Sequence, residues 1–297
     1  MKINFVVNPV FDGWSPEYDR LGGTEESVVE WSKRLTARGH HVTVYGNVPS
    51  DDFDGIPYRT YSDYVPADRT VNVKYHGFET PEPTWYLSNE TNIRDLRLDN
   101  YKGVILPSKW ALDHLNAHHD RIRIVPHGYN HDEIYPEAKI ENQCLYSSSP
   151  DRGLSELQRM WHEVVERVPN AQLIVTYNGI IDAPNSMCLG DTDEETMNHL
   201  YRTSDFWLHP CLGGELFCMA AVKAQVSKAI PVVYPTMALQ ETVRNGIKTD
   251  PKHFVDDLVA IMENKHKQGW IRTKMEYEPF ADWDESTRIL ERVLSEK

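Results

Sequence analysis

Residues 205–246, DFWLHPCLGGELFCMAAVKAQVSKAIPVVYPTMALQETVRNG, alternate short apolar runs with glycine-containing bends and helical patterns. The runs FWLHP and IPVVYP have the length and composition of buried strands, and each precedes a helical pattern, CMAAVKAQV or ALQETVRNG. This succession predicts a parallel α/β unit. Ligands of such folds bind beyond the carboxyl ends of the strands.

Gly213, Gly214 and Glu215 lie at that predicted edge, directly before a helical pattern. Backbone amides at a helix N-terminus favour an anion, and two glycines allow a phosphate group to approach the backbone closely. A carboxylate beside an anion site suits another part of the same ligand, such as the hydroxyl groups of a sugar. Together these residues indicate a sugar nucleotide.

The stretch GGELFCMAAVKAQVSKAIPVV, residues 213–233, resembles the signature of retaining glycosyltransferases with the type B fold, particularly family 4. That family usually has a glutamate, seven intervening residues and a second glutamate. Glu215 matches the first, whereas Lys223 occupies the position of the second. The resemblance covers nearly the whole chain in order. It implies two Rossmann-like α/β/α domains that face a cleft, with the C-terminal helix returning to the first domain.

Length and composition agree with such an enzyme. The chain has 297 residues, enough for two domains, and its 26% charged and 10% aromatic residues are typical of a globular protein. The formal net charge of −14 disfavours a nucleic-acid partner, which requires a basic face. No apolar run approaches a membrane span of ~20 residues, and no signal-peptide pattern precedes the first strand. Four widely spaced cysteines predict reduced core residues and a cytoplasmic location (Cys144, Cys188, Cys211 and Cys218).

The first half opens with the strand KINFVVNP, a loop that contains Gly22 and Gly23, an amphipathic helix and the strand HVTVYG. The helix presents apolar residues at helical spacing (Val28, Val29, Trp31 and Leu35). A G-x-G-x-x-G motif is absent, which disfavours a dinucleotide-dependent oxidoreductase. The resemblance implies that the two glycines face the interdomain cleft. The alternative is a tight turn between strand and helix.

Three strands, a helix over residues 110–119 and a further strand complete the predicted first domain. The second half repeats the alternation of strand and helix, and the polar segment HDEIYPEAKIEN is a natural linker between the halves. The predicted domains are residues 1–138 on the acceptor side, 139–278 for nucleotide-sugar binding, and 279–297 as a helix packing on the first domain.

The catalytic residues that the resemblance implies are Arg152, Glu215 and His76. Arg152 lies between a strand and a helix, where a guanidinium can clamp a diphosphate and offset charge on the departing nucleotide. The family usually has Lys-Gly here and an arginine a few residues earlier. The segment YSSSP lacks that earlier arginine, whose role serine hydroxyls or amides could take. His76 ends a strand, and the alternative for it is a capped or partly buried histidine.

The predicted donor-binding set combines glycines near phosphate with residues of the Glu215 segment. Resemblance implies that the amides following Glu215 face phosphate and that Lys223 occupies a ribose-binding position. Two helical turns would bring Lys223 to the same face as Glu215; alternatively it is solvated and the site is degenerate. The resemblance matches Glu241 to the Pro-Glu pair with which the family begins a helix. Alternatively, Glu241 only stabilises the first turn of its own helix through its negative charge. The set is Gly22, Gly23, Gly128, Gly153, Gly214, Leu216, Phe217, Cys218, Lys223 and Glu241.

Two metal-binding patterns are discounted. Asp-x-Asp occurs at Asp191 and Asp193 but also twice elsewhere in this acidic chain, and GDTDEET is equally a helix N-terminus. The residues His114, His118 and His119 lie at near-helical spacing but are more typical of a polar helix face. No metal and no cofactor are therefore predicted.

The sequence thus predicts a retaining, metal-independent glycosyltransferase that moves a hexose-type sugar from a nucleotide-diphosphate donor. The acceptor, a glycan, a lipid or a small molecule, would enter near Gly22, Gly23 and His76. Two alternatives remain open at this stage. One is a catalytically impaired nucleotide-sugar-binding scaffold, which the lysine at 223 and the missing arginine motivate; the other is a sugar-nucleotide epimerase.

Overall fold

The computed structural model describes residues 1–8, 13–18, 21–74, 78, 80–88, 100–114 and 120–296. The chain forms two compact units: unit 1 is Met1–Gly128 with Ala281–Lys297, and unit 2 is Tyr129–Phe280. The segment 131–142, expected to be a linker, belongs to unit 2. Ile134 is buried in the core of that unit, and Arg202 donates to the carbonyl of Glu133 at 2.8 Å.

Unit 1 is built on a sheet that, within the described ranges, has eight strands in the order β3-β4-β2-β1-β5-β6-β7-β8. All neighbours are parallel except β3 and β4. The strands are β1 Lys2–Val7, β2 His41–Tyr45, β3 Asp51–Phe53, β4 Ile56–Arg59, β5 Arg69–Val73, β6 Thr84–Leu87, β7 Gly103–Leu106 and β8 Ile122–Ile124. The helices are α1 Gly23–Ala37, α2 Lys109–His114 and α9 Trp283–Leu294.

The helix α1 packs against α9 on one side of this sheet. The four apolar positions predicted for its buried face are all buried, which confirms the amphipathic pattern. Trp31 Nε1 donates to Ser286 Oγ at 2.9 Å, and its ring meets that of Trp283 edge-on at 5.9 Å. Burying these large side chains against each other accounts for the place of the C-terminal helix in unit 1.

His127 lies beneath α1 and is only 6% exposed. Its Nδ1 is 2.9 Å from Ser27 Oγ, and that hydroxyl donates to the carbonyl of Gly23 at 2.6 Å. Because the hydroxyl proton is already used, the imidazole Nδ1–H is the donor in this pair. Burial lowers the pKa of His127 from 6.5 to about 4.

This neutral histidine predicts an acid-dependent loss of stability. Between pH 6.5 and about 4 the unfolded chain binds a proton that the folded chain excludes. The free energy of unfolding should therefore fall as the pH falls through this window, by about 3 kcal/mol in total. Urea unfolding measured at several pH values tests this. His127→Gln keeps a donor but cannot titrate, so it should flatten the slope, whereas His162→Gln on an exposed surface should not. An unchanged slope in His127→Gln would contradict the assignment.

Unit 2 contains a parallel sheet with the order β11-β10-β9-β12-β13-β14. The strands are β9 Ile140–Tyr146, β10 Gln172–Thr176, β11 Ser186–Gly190, β12 Ser204–His209, β13 Ile230–Val233 and β14 Ile247–Lys248. The helices are α3 Leu154–Arg167, α4 Glu194–Thr203, α5 Met219–Val226, α6 Leu239–Thr242, α7 Phe254–Glu263 and α8 Lys265–Tyr277. Across the described part of the chain, no helix combines the length and apolarity that crossing a bilayer requires.

Three elements of unit 2 differ from the sequence prediction. The strands β11 and β14 were not predicted, because both are edge strands with little buried apolar surface; Met187 and Cys188 of β11 are exposed. The helix predicted over residues 238–246 is shorter and ends at Thr242. It ends there because the side chain of Gln225 accepts hydrogen bonds from the amides of Arg244 and Asn245, at 2.9 and 3.0 Å. Cys188 also departs from the expected set of core cysteines, since it is exposed.

Candidate functional site

The strand order of unit 2 creates one switch point, between β9 and β12. From β9 the chain proceeds outward through β10 and β11, then returns to form β12 on the opposite side of β9. Connections leave these two neighbouring parallel strands in opposite directions, which opens a crevice at their carboxyl ends. Arg152 follows β9 and Glu215 follows β12, so both predicted residues lie at the position where such folds bind ligands.

Arg152 and Glu215 are in direct contact. Arg152 Nη1 forms an ion pair with Glu215 Oε1 and lies 3.5 Å from the carbonyl of Gly214. The Gly214 amide in turn donates to Met237 Sδ at 3.0 Å. Glu215 is 8% exposed, whereas the Arg152 side chain is 35% exposed. The pair therefore has a buried carboxylate and an accessible guanidinium.

Gly153 fixes the direction in which Arg152 leaves the strand. Its φ of +102° is in the left-handed region, and a Cβ at this position would lie 2.3 Å from the carbonyl oxygen of Pro210. The preceding turn is closed by the Arg152 amide, which donates to the carbonyl of Ser149 at 3.0 Å. Tyr146 Oη donates to the same carbonyl at 2.7 Å. Glycine is thus required for the close approach of the two loops.

Glu215 lies outside the helix that follows it. The helix α5 begins at Met219, after Cys218 in a left-handed conformation with φ of 70°, and has no acidic residue in its first turn. Glu215 is therefore not an acidic residue of the first helical turn. Helical spacing likewise does not relate Glu215 to Lys223, so the predicted shared face is wrong; Lys223 lies in the last turn of α5 and is half-buried.

His209 is a third member of the site, and the sequence analysis missed it. It is the last residue of β12, fully buried, and its ring stacks on Trp207 at 4.9 Å between centroids. Its Nε2 lies 3.3 Å from Glu215 Oε1, and its Nδ1 lies 3.3 Å from Ser148 Oγ. A histidine at the carboxyl end of a central strand, directly before a proline, is the signal that could have identified it.

Opposite charges determine the protonation of this cluster. Burial alone would raise the pKa of Glu215, but His209 and Arg152 outweigh it and hold that pKa below the ordinary value. Burial alone would lower the pKa of His209, but contacts with Cys211 and Glu215 outweigh it and raise that pKa. The arrangement is a buried carboxylate between the guanidinium of Arg152 and the imidazole of His209. The Arg152 guanidinium is the more exposed member of the cluster, which suits it to contact an anionic ligand.

The serines of YSSSP have assigned partners inside the unit. Ser147 Oγ bonds the hydroxyl of Tyr201 at 2.7 Å and accepts from Trp207 Nε1 at 2.9 Å. Ser148 contacts His209, as described above. Because both side chains are buried, they support β9 and β12. Ser149, the third serine of the segment, is half-buried and donates to Asp151 Oδ1.

The remaining predicted residues are distributed over both units. Leu216 and Cys218 are buried, Phe217 is half-buried, and Glu241 is an exposed first-turn residue of α6. Gly22 and Gly23 begin α1 in unit 1.

At Gly128 a Cβ would lie 2.4 Å from the amide nitrogen of Trp283, so this glycine permits close packing of the two segments. His76 lies outside the described residues.

The carboxylates and histidines considered as metal ligands have other roles. Asp193 caps α4 by accepting from the Thr196 amide at 2.7 Å, as the alternative reading of GDTDEET predicted. His114 stacks on Trp110 at 4.4 Å, while His118 and His119 fall outside the described ranges. His209, Glu215 and Cys218 do converge within 4.8 Å. However, Arg152 already contacts that carboxylate, and burial raises the pKa of the Cys218 thiol, so this cluster suits a metal cation poorly.

Sequence comparison finds distant relatives. No protein-family model matches the chain. Over 187 residues it is 24% identical to the phosphatidyl-myo-inositol mannosyltransferases of Mycobacterium tuberculosis and Mycobacterium bovis, a match that covers 54% of this chain. The match covers 49% of each relative, so it spans about half the length of these curated proteins.

Solved structures resemble the chain over its whole length. WaaG, a glycosyltransferase involved in lipopolysaccharide biosynthesis, has a TM-score of 0.76 at 14% identity, covering 99% of this chain and 100% of its own. HepE of Anabaena in complex with UDP-glucose has a TM-score of 0.74 at 14% identity, covering 100% of both chains. Sucrose-phosphate synthase of Thermosynechococcus elongatus has a TM-score of 0.69 at 15% identity, covering 99% and 96%. These similarities confirm the predicted type B glycosyltransferase fold with two parallel α/β units.

Proposed function

We propose that this chain is a glycosyltransferase that transfers a hexose-type sugar from a nucleoside-diphosphate donor to an acceptor. The observation that carries the proposal is the contact between Arg152 and Glu215 at the switch point of unit 2. The two residues are 63 positions apart in sequence, and each was singled out for a different part of a sugar nucleotide. The fold shared with glycosyltransferases, one of them in complex with UDP-glucose, supports the same conclusion.

The geometry supports a different role in donor binding for each residue. Arg152 uses Nη1 for Glu215, and within the described residues its Nε and Nη2 have no hydrogen bonds, so they are available to the diphosphate. Glu215 Oε1 is shared by Arg152 and His209, which leaves Oε2 to accept from a sugar hydroxyl. His209 lies beside the same carboxylate, in a site where the family's additional arginine is missing.

We further propose that transfer retains the anomeric configuration and requires no metal. The bond from the anomeric carbon to the phosphate oxygen breaks as the acceptor oxygen attacks from the same face, and the acceptor proton passes to the leaving phosphate. The protein then contributes positioning and stabilisation of the phosphate charge, for which Arg152 supplies the cation, while His209 helps to hold Glu215 in place. Because Arg152 contacts Glu215, that carboxylate is poorly suited to hold a divalent ion, which favours a transfer without metal.

The acceptor side and the location follow as parts of the same proposal. The acceptor enters near Gly22, Gly23 and His76, and it is a glycan, a lipid or a small molecule. The location is the cytoplasm, because Cys144, Cys211 and Cys218 are buried free thiols, as expected in a reducing compartment.

A donor panel tests the proposed function. Calorimetry with UDP, GDP and ADP should show saturable binding of one of them, and the corresponding hexose donor should release that nucleotide on incubation. Release should accelerate with an acceptor and continue in excess chelator. Tight binding without any release would favour a scaffold, and conversion of the donor sugar without an acceptor would favour an epimerase. Absence of binding to all three nucleotides would contradict the proposal.

A further inference from the structure

A second concave surface lies on unit 2, around the edge strand β14. It is a pocket of about 420 Å³ between the segment that precedes β14 and the helices α7 and α8. Its charged and aromatic lining residues are Arg244, Lys248, Asp257, Lys267, Trp270 and Lys274. Arg244 precedes β14, whereas Arg152 and Glu215 follow the carboxyl ends of β9 and β12, so the pocket is separate from the candidate active site.

The lining of this pocket is opposite in charge to the chain as a whole. Four cationic side chains face one carboxylate, in a protein whose formal net charge is −14. The carboxylate, Asp257, accepts a hydrogen bond from the Thr249 hydroxyl. The pocket therefore concentrates positive charge within an acidic protein, and this local field attracts an anion.

The pocket cations lack the carboxylate partners that other cations of unit 2 have. Among the described residues, neither Lys267 nor Lys274 has a carboxylate oxygen within 4.0 Å. Arg244 donates to the carbonyl of Pro279 at 2.7 Å, and Lys248 donates to the carbonyl of Gln240 at 2.9 Å, so both bind neutral groups. By contrast, many cations elsewhere in the unit pair with carboxylates, including Arg167, Arg202, Lys228, Lys265 and Arg272.

Lys248 is exposed to solvent at this pocket, although neighbouring groups remove part of the water around its ammonium group and lower its pKa below the ordinary value. An anion in the pocket would replace part of that lost solvation. Its position in the pocket and its bond to a neutral carbonyl are therefore the main reasons to expect that Lys248 binds an anion.

Trp270 adds an aromatic surface to the cations. Its side chain is 54% exposed, which is unusual for so large an apolar group, and Lys274 Nζ lies 4.1 Å from the ring centroid. An exposed indole beside several cations can pack against the carbon part of a ligand while the cations bind its charged part.

We propose that this pocket binds a phosphate-bearing anion, with the phosphate between Arg244, Lys248 and Lys267 and the carbon part of the ligand against Trp270. Guanidinium and ammonium groups form charge-assisted hydrogen bonds with phosphate oxygens, and several donors around one cavity distinguish phosphate from chloride. The phosphate can belong to a soluble ester or to a lipid headgroup, because both present the same chemistry. The site does not depend on the proposed transferase activity.

The test uses the full chain and inorganic phosphate as the probe. The indole N–H signal of Trp270, assigned in an NMR spectrum with Trp270→Phe, is followed during titration with phosphate and with potassium chloride at equal ionic strength. We expect a saturable shift with phosphate alone. Lys267→Glu should weaken binding about tenfold or more, the effect of replacing a charge-assisted contact by repulsion.

Lys252→Glu is the matched control, since Lys252 is exposed in the same unit, lies outside the pocket and changes the net charge equally. It should change the affinity by no more than about twofold. Sedimentation with phosphatidylcholine vesicles, with or without phosphatidylglycerol, separates the two sources. Binding to the anionic vesicles that Lys267→Glu abolishes assigns a lipid headgroup; a response to soluble phosphate alone assigns a soluble ester.

Two outcomes would overturn the proposal. One is the absence of a Lys267-dependent response to both soluble phosphate and anionic vesicles. The other is equal weakening by Lys252→Glu and Lys267→Glu, which would show that only the overall charge matters. Circular dichroism of both variants verifies that they fold, and their nucleotide binding by calorimetry should equal that of the unmodified chain.

Discussion

Replacing Arg152 by alanine is expected to lower the turnover of the nucleoside-diphosphate donor by about 10²–10³-fold, the usual cost of losing one oriented group that stabilises developing charge. The guanidinium is the accessible half of its pair with Glu215 and retains donors for phosphate. Its loss also leaves the buried carboxylate with His209 as its remaining cationic partner. Steady-state kinetics with the donor identified by the nucleotide panel measure the effect.

Arg159→Ala is the control for this variant, because Arg159 is an exposed arginine on α3 that pairs with Glu156. It should leave turnover within about twofold of the unmodified chain, as expected for an exposed ion pair. Arg152→Lys keeps the charge but loses the planar fork, so its turnover should be intermediate. If Arg152→Ala folds and turns over the donor at the normal rate, Arg152 does not take part in catalysis.

Gly153→Ala is expected to destabilise the chain by about 2–5 kcal/mol, the sum of left-handed backbone strain and steric overlap. The new Cβ would lie 2.3 Å from the carbonyl oxygen of Pro210, in a residue whose φ is +102°. Relief of this overlap must separate the loop that carries Arg152 from the loop that leads to Glu215. Activity should therefore fall along with the unfolding midpoint in urea.

Gly190→Ala is the control that distinguishes the cost of left-handed backbone strain from the cost of steric overlap with a neighbouring loop. Gly190 is also left-handed, with φ of +69°, but the nearest atom to its Cβ position is Asn178 Oδ1 at 3.6 Å, an ordinary contact. This variant should lose only about 1 kcal/mol, from strain alone, and should keep its activity. If Gly153→Ala is no less stable than Gly190→Ala, the close approach of the two loops does not matter for the fold.

The sequence determined the fold class and most of the elements. Buried parallel strands are continuous apolar runs, and the helices between them carry an apolar stripe, so both leave a local periodic signal. That signal identified α1 and β12, as well as the strand and the helix on either side of Arg152, which are β9 and α3. It also placed Arg152 and Glu215 in loops that follow strands, because a loop position depends only on where the neighbouring elements end.

Local sequence patterns were insufficient where contacts with distant parts of the chain determine the extent of an element or the burial of a residue. The strand β11 is an exposed edge with a weak apolar signal, and the bonds from Gln225 end α6 earlier than the pattern predicts. The composition of segment 131–142 predicts a polar linker, yet Ile134 is buried in unit 2. Lys223 was related to Glu215 by a helical spacing that does not exist, because α5 begins only at Met219.

The composition of the candidate site was decided by tertiary structure alone. Residues far apart in sequence meet because β9 and β12 are neighbours in the sheet, and strand order depends on which faces bury best against each other. No local pattern records that order. His209 illustrates this, since by itself it is one more residue of a buried strand. It becomes part of the site only because β12 ends beside Ser148 and because the chain after Pro210 returns Glu215 to its ring.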